Sequence, residues 1–342
     1  MKVLMTADCM GGVWTYALDL VRALPNHQWM VATMGTRPND NQHDAMDALP
    51  NATLRVSDYK LEWMENPWDD VARAGQWLLE LEREFAPDIV HLNGMAHGAT
   101  RFRAPKIVVA HSCVCSWWRA VKGEEAPADW DCYRQKIGAG LRAADVVGAP
   151  TRALLDELRQ IYGEFAPSRV IHNGSRAPSV LTSEVEPFVL SAGRLWDEAK
   201  NVALLERIAP RVRAPIRVAG DGGDLRNVES LGFLPLSQMS AQMERAAIWA
   251  HPARYEPFGL AVLEAANRDC ALVLSDIATL RELWDGAAIF VSPDDDWVGA
   301  LNGLLADSGK RDSWARRARE RAQNYSLARF GAGYAEVYEL LV

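Results

Sequence analysis

Two glutamates eight residues apart carry the strongest chemical signal in the chain. They stand in Tyr255-Glu256-Pro257-Phe258-Gly259-Leu260-Ala261-Val262-Leu263-Glu264-Ala265, after the apolar run Ile248–His251. That order predicts a strand, a loop holding Glu256, and a helix from about Gly259 with Glu264 in its second turn. A helix start offers free N–H groups and a positive dipole end, suited to an anion or a sugar hydroxyl. Gly259 lets the backbone approach a ligand, having no side chain in the way. A capped core helix with a solvated Glu264 reads the same segment without a ligand.

A second signal is Ser191-Ala192-Gly193-Arg194-Leu195, followed by Lys200-Asn201. Arg194 falls just past a strand and Lys200 at the next helix start. Two cations so placed can clamp a diphosphate, the arginine in bidentate fashion. The plain alternative pairs them on the surface with Asp197 and Glu198. A third signal is Gly11-Gly12 between the first strand and the first helix, a turn that admits a phosphate or sugar close to the backbone. It is no dinucleotide fingerprint, because Gly-x-Gly-x-x-Gly and a suitably placed acid are both missing.

These residues need strand ends and helix starts to position them, and the chain supplies both in alternation. Lys2–Ala7 reads as the first strand and Gly12–Leu24 as the first helix. Trp29–Gly35, Thr53–Ser57, Asp88–Leu92, Lys106–Ala110, Asp145–Ala149 and Arg169–His172 continue the strands. Asn66 as cap and Pro67 in the first position open a helix whose Val71, Ala74, Leu78, Leu81 and Phe85 form one apolar stripe. Between Arg176 and Pro187 the pattern breaks into a linker rich in proline and hydroxyl residues, Pro178, Ser179, Thr182 and Ser183 among them. A second series follows, through Phe188–Gly193, Ile216–Gly220, Ile248–His251, Ala271–Ser275 and Ala287–Val291. Two such α/β halves imply two doubly wound sheets, residues 1–177 and 187–325, with ligands in a cleft at the carboxyl ends of the strands.

The bulk numbers exclude several classes. The chain has 342 residues, 49% hydrophobic and 24% charged, enough for two ordinary domains. A formal net charge of −8 gives no basic face for nucleic acid and weakens the case for a polybasic membrane anchor. No stretch approaches the roughly 20 apolar residues of a membrane span, and Asp8 comes too early for a signal-peptide core. The expected place is the cytoplasm, with peripheral membrane association at most. Five scattered cysteines, Cys9, Cys113, Cys115, Cys132 and Cys270, suit reduced thiols. His111-Ser-Cys113-Val-Cys115 with Cys132 fits no closed zinc template. Thirteen tryptophans offer faces for a sugar or lipid acceptor, Trp63, Trp68, Trp117, Trp118 and Trp130 among them, though large aromatics more often fill cores.

Taken in order, these motifs resemble glycosyltransferase family 4, the large retaining family with the GT-B fold. The resemblance rests on Gly11-Gly12-Val13, Gly193-Arg194…Lys200-Asn201, Ala219-Gly220-Asp221-Gly222, the pair Glu256/Glu264, and Ser275-Asp276…Arg281-Glu282-Leu283-Trp284…Phe290-Val291-Ser292-Pro293. The match is dense from about Phe188 onward and sparser before it. Asn267-Arg268-Asp269 and Ala253 depart from the family's usual residues.

The resemblance implies that Arg194 and Lys200, beside Gly193 and Gly220, hold the donor pyrophosphate and stabilise the leaving group. It implies that Glu256 orients the transferred hexose with N–H groups near Phe258, Gly259 and Leu260, and that Glu264 bonds the ribose. Gly11 and Gly12 would admit the diphosphate to the N-terminal domain, His111 would lie over the sugar, and Asn173-Gly174 also fits the pattern. His91, His97 and His172 are given structural roles. The helix over residues 326–342, with Phe330, Tyr334, Val337, Tyr338 and Leu341 on one face, is expected to pack back on the N-terminal domain.

The expected activity is retaining transfer of a hexose from a nucleoside-diphosphate sugar, with no separate cofactor. The acceptor, whether saccharide, lipid-linked or small molecule, stays open. Asp129-Trp130-Asp131 precedes a helix instead of following a strand, so it reads as a helix start. Asp294-Asp295-Asp296 reads as a helix cap, and no essential divalent ion is expected. A sugar-nucleotide epimerase or phosphorylase, or a donor-binding homologue without turnover, are the rivals.

Overall fold

The computed structural model describes residues 1–181, 183–292 and 295–342. Thr182 of the linker, and Pro293 and Asp294 of the motifs above, lie outside the described residues. The chain divides into two compact units. One comprises Met1–Arg119, Glu124–Gly174 and Leu327–Val342, the other Ala120–Gly123 and Ser175–Ser326.

The first unit is built on seven parallel strands: β1 (Lys2–Asp8), β2 (Gln28–Met34), β3 (Ala52–Val56), β4 (Ile89–Leu92), β5 (Lys106–Val109), β6 (Val146–Ala149) and β7 (Ser168–Val170). Their spatial order is β3-β2-β1-β4-β5-β6-β7, so the winding reverses between β1 and β4. Apolar residues line both faces of these strands. Leu4, Met30, Val90 and Val108 enter one core, while Val3, Met5, Val31, Ile89 and Ile107 enter the other. Near-continuous apolar strands are the signature of a parallel sheet covered by helices on both sides.

The second unit repeats the plan with six parallel strands: β8 (Glu186–Ala192), β9 (Ile216–Ala219), β10 (Glu229–Gly232), β11 (Ala246–His251), β12 (Ala271–Ser275) and β13 (Ile289–Val291). Their order is β10-β9-β8-β11-β12-β13, and the reversal falls between β8 and β11. Both sheets are thus doubly wound in the same order. Ligands of such sheets sit where the order reverses, beyond the carboxyl ends of the strands.

Several local expectations need correction. Pro67, not Asn66, occupies the cap position of the helix Trp68–Phe85, and Asn66 adopts a left-handed conformation at φ 47°. A residue before proline is pushed out of the right-handed helical region, and asparagine tolerates the left-handed one. Pro187, read as linker, lies inside β8. The register against β11 shifts between Glu186 and Val189, and such an irregularity tolerates a residue with no N–H to donate. Strand β10 escaped notice because Glu-Ser-Leu-Gly at a sheet edge has weak strand preference. The helix Asp40–Asp47 also escaped notice, although Asn39 and Gln42 form a reciprocal capping box. Asp296 caps the helix Trp297–Ala306 through Gly299 N at 2.8 Å.

The helix Leu327–Leu341 belongs to the first unit. Phe330, Tyr334, Val337 and Tyr338 pack with Trp14, Tyr16 and Val21 of the first helix, Gly12–Ala23. Gly331 permits the close approach, since a Cβ there would meet the Ala23 Cβ at 2.7 Å. Tyr334 is fully buried between Tyr16, Phe330 and Tyr338. Its replacement by alanine leaves a large cavity, at a cost of about 3–5 kcal/mol. Urea unfolding of Tyr334→Ala is expected to show that loss, and Tyr334→Phe, which removes only the hydroxyl bonded to Tyr16, a smaller one of about 1 kcal/mol.

Candidate functional site

In the second unit the reversal point holds the sequence's strongest motifs. Strand β8 delivers Gly193 and Arg194, and the turn after it delivers Lys200. Strand β11 ends at His251 and its loop carries Glu256. Two backbone-directed bonds lock these loops together: Arg254 N to Ala199 O at 2.8 Å and Asn201 Nδ2 to Pro252 O at 3.0 Å. Two glycines permit the packing. A Cβ on Gly193 would press on Lys200 Cγ at 3.0 Å, and one on Gly220 would strike Gly193 O.

The result is a compact charged cluster. Lys200 Nζ donates to Glu256 Oε2 at 2.8 Å, and His251 Nε2 lies 3.0 Å from the same oxygen. The side chains of Lys200, Glu256 and His251 are only 18%, 13% and 4% exposed. An ionised carboxylate only accepts, so His251 presents Nε2–H to it. Burial works against the charge on Glu256, but Lys200 and His251 together overcome it and hold the carboxyl well below the usual range. Thr279 Oγ1 donates to the Glu256 carbonyl at 2.6 Å and fixes the loop from the other side.

Arg194 stands at the rim of this cluster. Its Nη2 donates to Asp197 Oδ2 at 2.7 Å and its guanidinium lies 5.4 Å from the Trp196 ring. Arg194 is thus paired with Asp197, while Lys200 pairs with Glu256 and not with Glu198. Gly259, at φ 85°, turns the chain into the helix Leu260–Ala266. Phe258 is buried against Tyr325, and Glu264 lies in the second turn of that helix.

The first unit holds the remaining candidates. Gly11, at φ 74°, caps the helix that begins at Gly12. His111 follows β5 and donates from Nε2 to Asn93 Oδ1 at 2.7 Å. The orientation of that amide is fixed, because Asn93 Nδ2 donates to Thr6 O at 2.6 Å. A chain of polar groups continues inward. His91 Nε2 reaches Asn93 Oδ1 at 3.2 Å and its Nδ1 meets Tyr338 Oη at 2.6 Å. Burial pushes both histidines down to about 3, so both are neutral at physiological pH. With Nε2–H facing Asn93, neutral His111 retains a lone pair on Nδ1. His91 Nε2 also lies 3.1 Å from Tyr16 Oη. Asn173 is buried just beyond β7.

Sequence reasoning missed His251, Thr279 and Asn93. His251 could have been found, since it closes the strand that delivers Glu256. Asn93 and Thr279 become visible only when distant segments meet. His97 and His172 bond backbone carbonyls of Val71 and Pro150. Cys113 bonds Tyr162 Oη at 3.1 Å, and among the described residues no three His, Cys, Asp or Glu side chains gather as metal ligands. No helix among them is long and apolar enough to cross a membrane.

Comparison with known proteins adds to this geometry. Residues 10–175 match the family model described as Glycosyltransferase Family 4, and residues 186–307 match the one described as Glycosyl transferases group 1. Glycogen synthase of Mycobacterium tuberculosis is 26% identical over 78% of this chain and 72% of that protein. D-inositol 3-phosphate glycosyltransferase of Xylanimonas cellulosilytica is 25% identical over 96% of this chain and 91% of that protein. Sucrose-phosphate synthase of Thermosynechococcus elongatus has a TM-score of 0.81 at 17% identity, covering 100% of this chain and 99% of that one. HepE of Anabaena, in complex with UDP-glucose, has a TM-score of 0.80 at 16% identity with both chains fully covered.

The ion pair predicts a pH signature. Glu256 has a depressed folded pKa, so its contribution to stability is complete above the unfolded value of about 4.3 and is lost as pH falls below it. Replacing Lys200 by methionine strands a carboxylate in a largely dry site, at a cost of roughly 3 kcal/mol at neutral pH. Denaturant titrations between pH 3 and 7 are expected to show that gap shrinking on acidification. A gap that stays constant across this range would rule out the pairing.

Proposed function

Because this chain belongs to glycosyltransferase family 4 and has the GT-B fold, we propose that it transfers a hexose from a nucleoside-diphosphate sugar with retention of anomeric configuration. One observation carries the reading: a lysine and a carboxylate bonded to each other at the reversal point of the second sheet, with an arginine at the rim.

Each group has a role suited to its environment. Arg194 and Lys200 receive the diphosphate and neutralise the charge that develops as the glycosidic bond breaks. Glu256 grips hydroxyls of the hexose. Lys200 and His251 both occupy Oε2, and among the described residues no hydrogen bond is made to Oε1, so that oxygen is left for the sugar. Backbone N–H groups at Phe258, Gly259 and Leu260 assist it, and Glu264 accepts from the ribose. Gly193 and Gly220 keep the backbone low beneath the phosphates. On the first unit, Gly11 and Gly12 are assigned to the diphosphate, His111 to the sugar and Asn173 to the donor. A neutral His111 suits that task, because an uncharged ring bonds a hydroxyl without requiring a counterion.

The attacking hydroxyl enters from the face the leaving group vacates, and the departing phosphate takes its proton. With two cations to stabilise that phosphate, the reaction requires no divalent ion. The HepE structure holds UDP-glucose, which supports a nucleotide sugar as the ligand class here. The cytoplasm, where such donors are available, is the proposed site of action.

Thermal shift across UDP-, GDP- and ADP-sugars is expected to single out one donor, since a bound ligand raises apparent stability by mass action. With that donor, Arg194→Ala and Lys200→Ala are expected to lower kcat by about 10²–10³. Product proton NMR should show the donor's anomeric configuration, and excess chelator should leave turnover intact. Inverted product, or a sugar altered without any acceptor, would refute the reading.

A further inference from the structure

Asn93 holds a candidate side chain in place, and none of the roles above belongs to it. It follows β4, and the loop that carries it is tied down at both ends. The Asn93 backbone N–H donates to Thr6 Oγ1 at 2.8 Å, and Nδ2 of its side chain donates to Thr6 O at 2.6 Å. Thr6 is itself buried within β1. Just beyond, Glu62 Oε1 accepts from Met95 N at 3.2 Å and Oε2 from Ala96 N at 2.8 Å.

This anchoring decides which end of the amide faces His111. Turned over, the amide would set its oxygen against the Thr6 carbonyl with no hydrogen between them, so the end beside His111 is Oδ1. Oδ1 only accepts, so the His111 Nε2 that lies 2.7 Å away carries the hydrogen. The other lone pair of Oδ1 faces His91 Nε2 at 3.2 Å, which leaves this oxygen nothing for a ligand. Burial pushes His111 down to about 3, and a neutral ring with Nε2–H keeps its one lone pair on Nδ1. Tyr16 meets the ring edge-on, with centroids 4.4 Å apart and planes at 74°. The ring is thus restrained in place as well as in tautomer. Among the described residues no hydrogen bond is made to Nδ1, and His111 is only half-buried.

We propose that Asn93 is a positioning residue for His111: it fixes the ring as an acceptor at Nδ1, so that His111 takes a hydroxyl from a ligand and not a phosphate oxygen. A hydroxyl brings its own hydrogen to the lone pair. An ionised phosphate oxygen brings none, and two lone pairs facing each other repel. Without Asn93 the neutral ring is free to carry its hydrogen on Nδ1, which reverses the preference. That the hydroxyl belongs to the transferred sugar rests on the transferase reading. The tautomer rests on Asn93 and Thr6 alone.

Two-bond proton–nitrogen NMR of the isotope-labelled chain reads the tautomer without any ligand, with His111 assigned by the signals lost in His111→Ala. At neutral pH the hydrogen is expected on Nε2, with Nδ1 bare. A hydrogen on Nδ1, or a charged ring, overturns the proposal. In Asn93→Ala the two tautomers are expected to mix. Affinities for UDP-glucose, GDP-mannose and ADP-glucose, each beside its own nucleoside diphosphate, test the consequence. Asn93→Ala is expected to weaken the sugar nucleotide that binds by about ten-fold, the loss of one hydrogen bond, with the nucleoside diphosphate unchanged. In a His111→Ala background the same substitution is expected to cost nothing further, because its effect passes through the ring. An equal loss in both backgrounds overturns the proposal, as does equal weakening of sugar nucleotide and nucleoside diphosphate. If Asn93→Ala folds poorly, the spectrum of the unsubstituted chain still decides the tautomer. A chain with the expected tautomer that binds none of these nucleotides overturns the transferase reading and leaves Asn93 as the group that sets His111.

Discussion

A carboxylate kept ionised where water is scarce is the constraint around which the second unit is arranged. Glu256 stays charged only because Lys200 and His251 meet one of its oxygens. That meeting requires Gly193 to make room for the lysine stem and Gly220 to clear the Gly193 carbonyl. It also requires the loops after β8 and β11 to be tied backbone to backbone. A buried ion pair adds little net stability compared with an apolar substitute. The pair's net contribution to the fold is therefore small, and its proposed role lies in what it does to a ligand.

The first unit handles polarity in the opposite way. Its interior histidines His91 and His111 are neutral, and a hydrogen-bonded chain runs from Tyr338 through His91 and Asn93 to His111. The second unit thus buries a paired charge, while the first buries neutral dipoles.

The fold was largely legible because its signal is local. Near-continuous apolar strands alternate with amphipathic stretches, and the motifs fall where strands end. Lys200 and Glu256 were legible as types at helix starts and loop positions, but their direct bond was not, because 56 residues separate them. His251 was read only as the last residue of its strand, because its bond to Glu256 is made by the fold of the loop that follows. Glu62 gave no signal at all: its environment is made by Met95 and Ala96, more than 30 residues on. Strand β10 and the left-handed Asn66 were lost to weak propensity and to the constraint that a following proline imposes.

The helix Leu327–Leu341 completes a core whose other members lie before Gly174. During vectorial synthesis the whole of Ser175–Ser326 emerges before that helix does. The second unit therefore has every residue of its core available first, while the first unit waits with Trp14, Tyr16 and Val21 uncovered. The first unit's core is thus closed by a segment translated after the whole of Ser175–Ser326.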